Sequence, residues 1–132
     1  MSSPPRRCRV LIVDNNEDLA RSAAALMSLE PDLEPVGCIG SAAGAVRRAR
    51  EVAADVLLLD LSLPDRSGLT VLDEVAADAP NLKVILYTGY ASPELAAEAT
   101  ARGASACVVK GGNFDVLCTA IRRAFGALNA AE

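Results

Sequence analysis

Asp14, Asp60, Thr88 and Lys110 each stand at the end of a short apolar run. Val10-Leu11-Ile12-Val13 leads into Asp14-Asn15, Val56-Leu57-Leu58-Leu59 into Asp60, Leu86-Tyr87 into Thr88, and Val108-Val109 into Lys110. An ionised carboxylate left buried and unpaired after four apolar residues is costly, so Asp60 is expected to emerge at a sheet rim among polar partners. In an open parallel sheet that rim is where ligands and chemistry sit. The four ends together offer acid, amide, hydroxyl and ammonium. The sequence has no histidine, which removes Ser-His-Asp and Cys-His catalysis. Any nucleophile is then a carboxylate, hydroxyl, thiol or amine working without an imidazole. Single polar residues are common where strands meet loops, so it is their joint occurrence that carries the signal.

Positioning these groups takes alternating strands and helices. Apolar runs of strand length alternate with Ala-rich stretches of helical period, the βαβ pattern. Strands are expected at 9–14, 33–38, 55–60, 83–88 and 106–109. The first helix is expected at 17–30, stopped by Pro31. The second runs from an N-cap at Ser41 to 52, and the third follows a Ser67 cap. The fourth spans 93–102, with Pro93 at its first position and Gly103 as its stop, and the fifth spans 113–129. Expected inward residues are Leu19, Ala20, Ala23, Leu26 and Met27 on the first helix and Leu69, Leu72, Val75 and Ala76 on the third. On the fifth helix, Phe114, Leu117, Ile121, Phe125 and Leu128 form the apolar face. Right-handed crossovers put helices on both sheet faces and every strand end that precedes a helix on one edge, so Asp14, Asn15, Asp60, Thr88 and Lys110 converge.

Composition bounds the function. At 132 residues the chain suits one domain. With 52% hydrophobic and 23% charged residues it reads as a globular α/β protein rather than a disordered one. A net charge of -4 argues against direct nucleic-acid binding. No apolar stretch approaches the ~20 residues of a membrane span and no signal peptide is visible, which points away from the membrane and to the cytoplasm. Residues 1–8, with Pro4, Pro5, Arg6 and Arg7, read as a flexible N-terminal arm before a single domain over 9–129, with no effector domain. Cys8, Cys38, Cys107 and Cys118 lack CxxC spacing and read as small half-buried hydrophobes in a reducing compartment.

Taken in order, Val13-Asp14-Asn15, Leu58-Leu59-Asp60-Leu61-Ser62-Leu63-Pro64, Ser67-Gly68, Leu86-Tyr87-Thr88-Gly89, Gly103-Ala104 and Val109-Lys110-Gly111 resemble the CheY-like receiver domain of bacterial two-component response regulators. The helix-two region and the Lys-Gly ending resemble the NarL/FixJ branch, whose receivers often precede a LuxR-type DNA-binding domain. The resemblance implies a flavodoxin-like three-layer α/β/α sandwich with a five-stranded parallel sheet in the order 2-1-3-4-5. It implies that Asp60 accepts a phosphoryl group from a histidine kinase, a phosphotransfer protein or a small acyl phosphate, with Mg²⁺ or Mn²⁺. Asp14, Asn15, Asp60 and the backbone carbonyl of Ser62 are then the metal ligands or water-mediated partners. Thr88, Gly89 and Lys110 address the phosphoryl group, and Ser62 and Tyr90 modulate its hydrolysis.

The residue chemistry agrees with what the resemblance implies. A carboxylate is a competent nucleophile in group transfer, and phosphoryl transfer asks mainly for positioning and charge neutralisation. Mg²⁺ takes one or two carboxylates and keeps its waters, and lysine supplies a compact positive charge. On this reading the chain is a phosphoacceptor switch, limited to self-phosphorylation and autodephosphorylation, rather than an enzyme acting on other substrates. It signals to an output protein or a second copy through the surface of the fourth helix, fifth strand and fifth helix. Tyr90, Glu94, Glu98, Arg122 and Arg123 are the expected exposed contacts.

Two residues depart from the family pattern. Asn15 stands where a second acid is usual, so one negative charge is missing and weaker metal binding is expected. Cys107 stands where an aromatic residue usually swings inward on phosphorylation, and Tyr90 is the nearest aromatic in sequence for that task. These departures support an alternative, a pseudo-receiver that keeps the fold and interface without phosphate control. A phosphatase of haloacid-dehalogenase type expects an Asp two residues after the nucleophile, where Ser62 stands, and a flavodoxin expects a glycine-rich cradle where Asn15-Asn16 stand. Asp65 is assigned to the turn chemistry of its own loop, and Gly111 replaces the cis-proline of many relatives.

Overall fold

Side-chain alternation along the strands divides the interior into two cores, one on each side of a sheet. The structure, a computed structural model, describes residues 6–130, the side chains of 128–130 excepted. Strands β1 (Cys8–Val13), β2 (Leu33–Ile39), β3 (Val56–Leu59), β4 (Lys83–Thr88) and β5 (Ala106–Val109) pair in parallel in the order β2-β1-β3-β4-β5. They alternate with α1 (Glu17–Ser28), α2 (Ala45–Glu51), α3 (Gly68–Asp78), α4 (Pro93–Ala101) and α5 (Phe114–Ala130). Val10, Ile12, Val56, Leu58 and Ile85 pack on one face with Ala20, Ala23 and Met27 of α1 and Leu117, Cys118 and Ile121 of α5. Leu11, Val13, Leu57, Leu59, Val84 and Leu86 pack on the other with Val46 of α2, Val71, Leu72 and Val75 of α3, and Ala99 of α4.

This is the flavodoxin-like three-layer α/β/α arrangement expected from the sequence. A sheet covered on both faces accepts near-continuous apolar strands. Each fully buried Leu or Ile is worth about 1.5–3 kcal/mol, and a one-residue slip would exchange the two faces. The register is therefore fixed by the core itself. Val10 pairs with Pro35 but Leu11 with Gly37, so Val36 is the extra residue of a bulge on the edge strand β2, the position where a sheet tolerates proline.

Several boundaries differ from expectation. Helix α1 ends at Ser28 instead of reaching Glu30, and Leu26 is 46% exposed rather than inward. Ala76 of α3 is also exposed, while Val71 joins Leu72 and Val75 in the core. Leu128 lies outside the described side chains. The largest correction is at α2. Ser41 is not its N-cap: the helix begins at Ala45, after Gly44 with φ 78°, a conformation that costs glycine nothing. Of the expected arm over 1–8, residues 1–5 lie outside those described. Arg6 is ion-paired with Asp55 at 2.7 Å, Arg7 donates to the Leu33 carbonyl, and Cys8 opens β1. The other helix starts follow capping rules: Ser67 accepts from the Leu69 N–H, and Ser92 from the Leu95 N–H with Pro93 next.

Candidate functional site

Four strand ends and the loops that follow them carry the site residues to one edge of the sheet. The hydrogen-bond ladder continues past the strands: the Asp60 N–H donates to the Val13 carbonyl at 2.8 Å, and the Lys110 N–H to the Thr88 carbonyl at 2.7 Å. Backbone pairing thus reaches Asp60 and Lys110 themselves. Period-two alternation then assigns the faces. Counting on from Ile12, Leu58 and Val108, all on the α1/α5 side, Asp14, Asp60 and Lys110 fall on that same side. Thr88, counted from Leu86, falls on the other.

The Lys110 ammonium lies between two carboxylates, 2.6 Å from Asp14 Oδ2 and 3.1 Å from Asp60 Oδ2. All three side chains are largely enclosed, with exposures of 13% for Lys110, 4% for Asp14 and 7% for Asp60. Burial pulls the Lys110 pKa down, but hydrogen bonds and charge from Asp14 and Asp60 outweigh it and leave the group above its ordinary value. Two carboxylates against one ammonium leave the site one negative charge in surplus. Each second oxygen is tied to backbone: Asp14 Oδ1 accepts from the Asn16 N–H at 2.8 Å, and Asp60 Oδ1 from the Ser62 N–H at 3.3 Å. The arrangement presents two enclosed carboxylates that share one cation.

The other expected site residues differ in exposure and in face. Thr88 is buried at the end of β4, while Gly89 is exposed with open space where a side chain would stand. Asn15 and Ser62 are exposed at the rim. Tyr90 is 75% exposed. Cys107 is partly buried on β5, opposite Leu86 and packed on the α2/α3/α4 side. Gly68 is needed by close approach: a Cβ there would overlap the Asp60 backbone oxygen and lie 3.0 Å from the Leu61 Cα. Gly111 has φ 85° and no cis peptide occurs among the described residues, so glycine turns the chain after Lys110 by a left-handed residue.

The donor set fits one kind of cation. Among the described residues no three His, Cys, Asp or Glu side chains converge into a metal cage. Two carboxylates with a nearby amide and carbonyl instead match Mg²⁺, which takes one or two carboxylates and completes its shell with water and phosphate oxygens.

Two residues at or beside the site, Asn16 and Tyr87, were not read from the sequence, and a third, Asp65, does not serve the turn of its own loop to which it was assigned. Asn16 caps α1 by accepting from the Leu19 N–H at 3.1 Å while its own N–H serves Asp14; an Asn followed by Glu17 and Asp18 is a recognisable helix start. The half-buried Tyr87 ring lies 5.9 Å from the Lys110 ammonium, within cation–π range, and strand alternation alone would put the two on one face. Asp65 reaches across to another loop and accepts from the Ala42 N–H at 2.9 Å and the Ala43 N–H at 2.8 Å. Nothing local to its own turn signals that.

Comparison with known proteins places this geometry in context. Residues 10–122 match the response regulator receiver domain family. The chain is 35% identical over 102 residues to the DNA-binding transcriptional activator DevR/DosR of Mycobacterium tuberculosis, covering 77% of this chain and 47% of that protein. It is 28% identical over 117 residues to the response regulator protein VraR of Staphylococcus saprophyticus, covering 89% and 56%. The chain thus spans about half the length of these curated relatives. Among solved structures, a CheY-like receiver domain protein from Methanospirillum hungatei superposes with a TM-score of 0.85 at 25% identity, covering 96% of this chain and 99% of that one. These likenesses are consistent with the NarL/FixJ branch.

Proposed function

The chain belongs to the response regulator receiver family, and from that premise we propose that it is a phosphoacceptor switch with Asp60 as the acceptor. The observation that carries the reading is the Lys110 ammonium, 2.6 Å from Asp14 and 3.1 Å from Asp60 at the ends of parallel strands. In the transfer step an Asp60 carboxylate oxygen attacks phosphorus, and the bond from phosphorus to the imidazole nitrogen of a histidine kinase or phosphotransfer protein, or to an acyl oxygen, breaks. The electron pair leaves with the donor, giving an aspartyl phosphate that water later hydrolyses to inorganic phosphate. Lys110 turns from the Asp60 carboxylate toward a phosphoryl oxygen, Thr88 donates its hydroxyl to another, and Gly89 leaves the approach open. Asp14, Asp60 and the Ser62 carbonyl, with the Asn15 amide, would hold Mg²⁺ (or Mn²⁺), which when bound would neutralise phosphoryl charge. Ser62 and Tyr90 govern access of water to the acyl phosphate.

The proposed readout runs through the surface of α4, β5 and α5, to an output protein or a second copy. Among the described residues, Tyr90, Val109 and Val116 are the exposed large apolar ones in or beside those elements. Arg123, Glu94 and Glu98 remain exposed there. Arg122 does not belong to that face: it is held by Asp32 and Glu30 of the turn between α1 and β2. Cys107 is too small to act as an aromatic reporter.

Intact mass after incubation with a small acyl phosphate and Mg²⁺ tests the reading. A single phosphoryl adduct that disappears in Asp60→Asn and without metal is the expected result. No adduct on folded protein, with an ordinary receiver labelled in parallel, overturns it and favours the pseudo-receiver, for which Asn15 and Cys107 speak.

A further inference from the structure

The segment from Asp60 to Gly68 is a loop closed at its neck. The Gly68 N–H donates to the Leu61 carbonyl at 2.8 Å, and Ser62 pairs with Ser67 in an antiparallel bridge. The tip beyond the neck is held by two side chains of opposite charge. Arg66 is ion-paired with Glu74 of α3 and hydrogen-bonded to Thr70, which ties the loop to the helix that follows it. Asp65 points the other way, and its two oxygens take the consecutive Ala42 and Ala43 N–H groups at 2.9 and 2.8 Å.

Those two N–H groups belong to the turn ahead of α2, whose own N-cap, Gly44, has no side chain with which to cap. Backbone N–H groups in a turn need an acceptor as much as those in a ladder, and for this pair it comes from the phosphoacceptor loop, 23 and 22 residues away in sequence. Ala42 is fully buried, so the anchor point is part of the core. The backbone hydrogen bonds, Ala42 first, hold the Asp65 carboxyl below its ordinary pKa, so the clamp is charged at neutral pH.

We propose that Asp65 is a positioning residue for phosphoryl transfer, fixing the loop that sets the Ser62 backbone beside Asp60 by clamping it to the start of α2. The inference rests on the phosphoacceptor reading above. Ser62 lies three residues from the clamp and its N–H already meets Asp60 Oδ1 at 3.3 Å. A carbonyl that helps hold a cation and an N–H that meets the nucleophile both move with this loop. The clamp also makes the start of α2 and the phosphoacceptor loop one mechanical unit.

The test compares the unaltered chain with Asp65→Ala and with Asp65→Asn, which keeps one accepting oxygen. Three readouts are needed: the labelling rate with a small acyl phosphate at saturating donor and Mg²⁺, the Mg²⁺ concentration giving half-maximal labelling, and the amide spectrum without phosphate. The expected result for Asp65→Ala is a ~10-fold slower rate, in the range that a small misplacement of reacting groups produces. A several-fold higher half-saturating Mg²⁺ concentration and displaced Ser62, Ala42 and Ala43 amide signals should accompany it, with Asp65→Asn intermediate. Should Asp65→Ala fail to fold, Asp65→Asn decides on the same readouts. Variants that shift only the Ala42 and Ala43 amides, with rate and Mg²⁺ dependence unchanged, reduce Asp65 to a tie on the turn ahead of α2 and overturn the proposal. So does a rate loss at unchanged Mg²⁺ half-saturation that merely tracks a fall in Tm. Failure of the unaltered chain to label overturns the phosphoacceptor reading itself and this proposal with it, and is recognised because it precedes any substitution.

Discussion

Lys110 is the residue on which the site's charge balance turns. With Asp14 and Asp60 both largely buried and its ammonium between them, removal of the cation strands two carboxylates in a poorly solvated place. Breaking a buried pair in this way costs about 3 kcal/mol or more, so Lys110→Met should lower stability by roughly that amount in urea unfolding at pH 7. The pH dependence follows from the raised pKa. A cation whose pKa is higher in the folded state stabilises fully below its unfolded value, 10.5, and the contribution disappears as pH climbs through the higher folded value. The stability gap between the unaltered chain and Lys110→Met should accordingly stay flat through neutral pH and narrow only in strong alkali. A gap that closes near pH 8 would contradict the ion-pair geometry. Asn15 acts through charge as well. Asn15→Asp adds a carboxylate at the exposed rim beside Asp14, and should lower the Mg²⁺ concentration needed for half-maximal labelling several-fold. An unchanged Mg²⁺ titration would show that position 15 does not reach the cation.

At the scale of elements, the site depends on how tightly α3 is drawn against the end of β3. Gly68 begins α3 where an added Cβ would run into the Asp60 and Leu61 backbone. Backbone cannot step aside as a flexible side-chain tip can, so overpacking here displaces the acceptor strand end itself. Gly68→Ala is expected to cost about 1–3 kcal/mol and to reduce Asp60 labelling by more than the stability loss explains. Measuring the adduct well below the variant's Tm separates the two effects. Full labelling of a folded Gly68→Ala chain would show that the loop absorbs the methyl without moving Asp60. The opposite end of the sheet is held differently, by Asp55 accepting from Arg6 and from the Arg9 N–H.

For the whole molecule, the two cores decide which groups solvent can reach. Cys8 and Cys118 lie in the α1/α5 core, and burial pushes the Cys8 thiol up to about 12, with Asp55 adding to the shift. Cys107 is partly buried, and Cys38 is exposed on the edge strand β2, although burial raises both thiols above their ordinary value. A thiol reagent near pH 8 should modify Cys38 first, Cys107 more slowly, and Cys8 and Cys118 only on unfolding, as peptide mapping over time would reveal. Early modification of Cys8 or Cys118 would mean that the α1/α5 side opens well below the global transition. Arg122 joins α5 to the turn after α1 through Asp32 and Glu30, so that side of the molecule is already bridged within one chain.

The strands, their order and the edge at which Asp14, Asp60, Thr88 and Lys110 gather were legible from the sequence alone. Period-two burial and βαβ alternation are local patterns, and handedness then puts those strand ends on one edge, while the order 2-1-3-4-5 was implied by the resemblance to receivers. The resemblance to receivers rested on the same residues, and the match over 10–122 bears it out. Tertiary structure decided what depends on groups distant in the chain. The start of α2 was misplaced at Ser41 because the acceptor for Ala42 and Ala43 is Asp65 from another loop. Leu26 and Ala76 carried an inward period yet face solvent, because helical periodicity gives the width of an apolar stripe, not where the sheet beneath it ends. The sharing of one ammonium between Asp14 and Asp60, and the place of Tyr87 beside it, likewise come from three strands meeting at one edge. Local patterning sets which way each side chain points, whereas distances between strand ends are set only when the two cores pack.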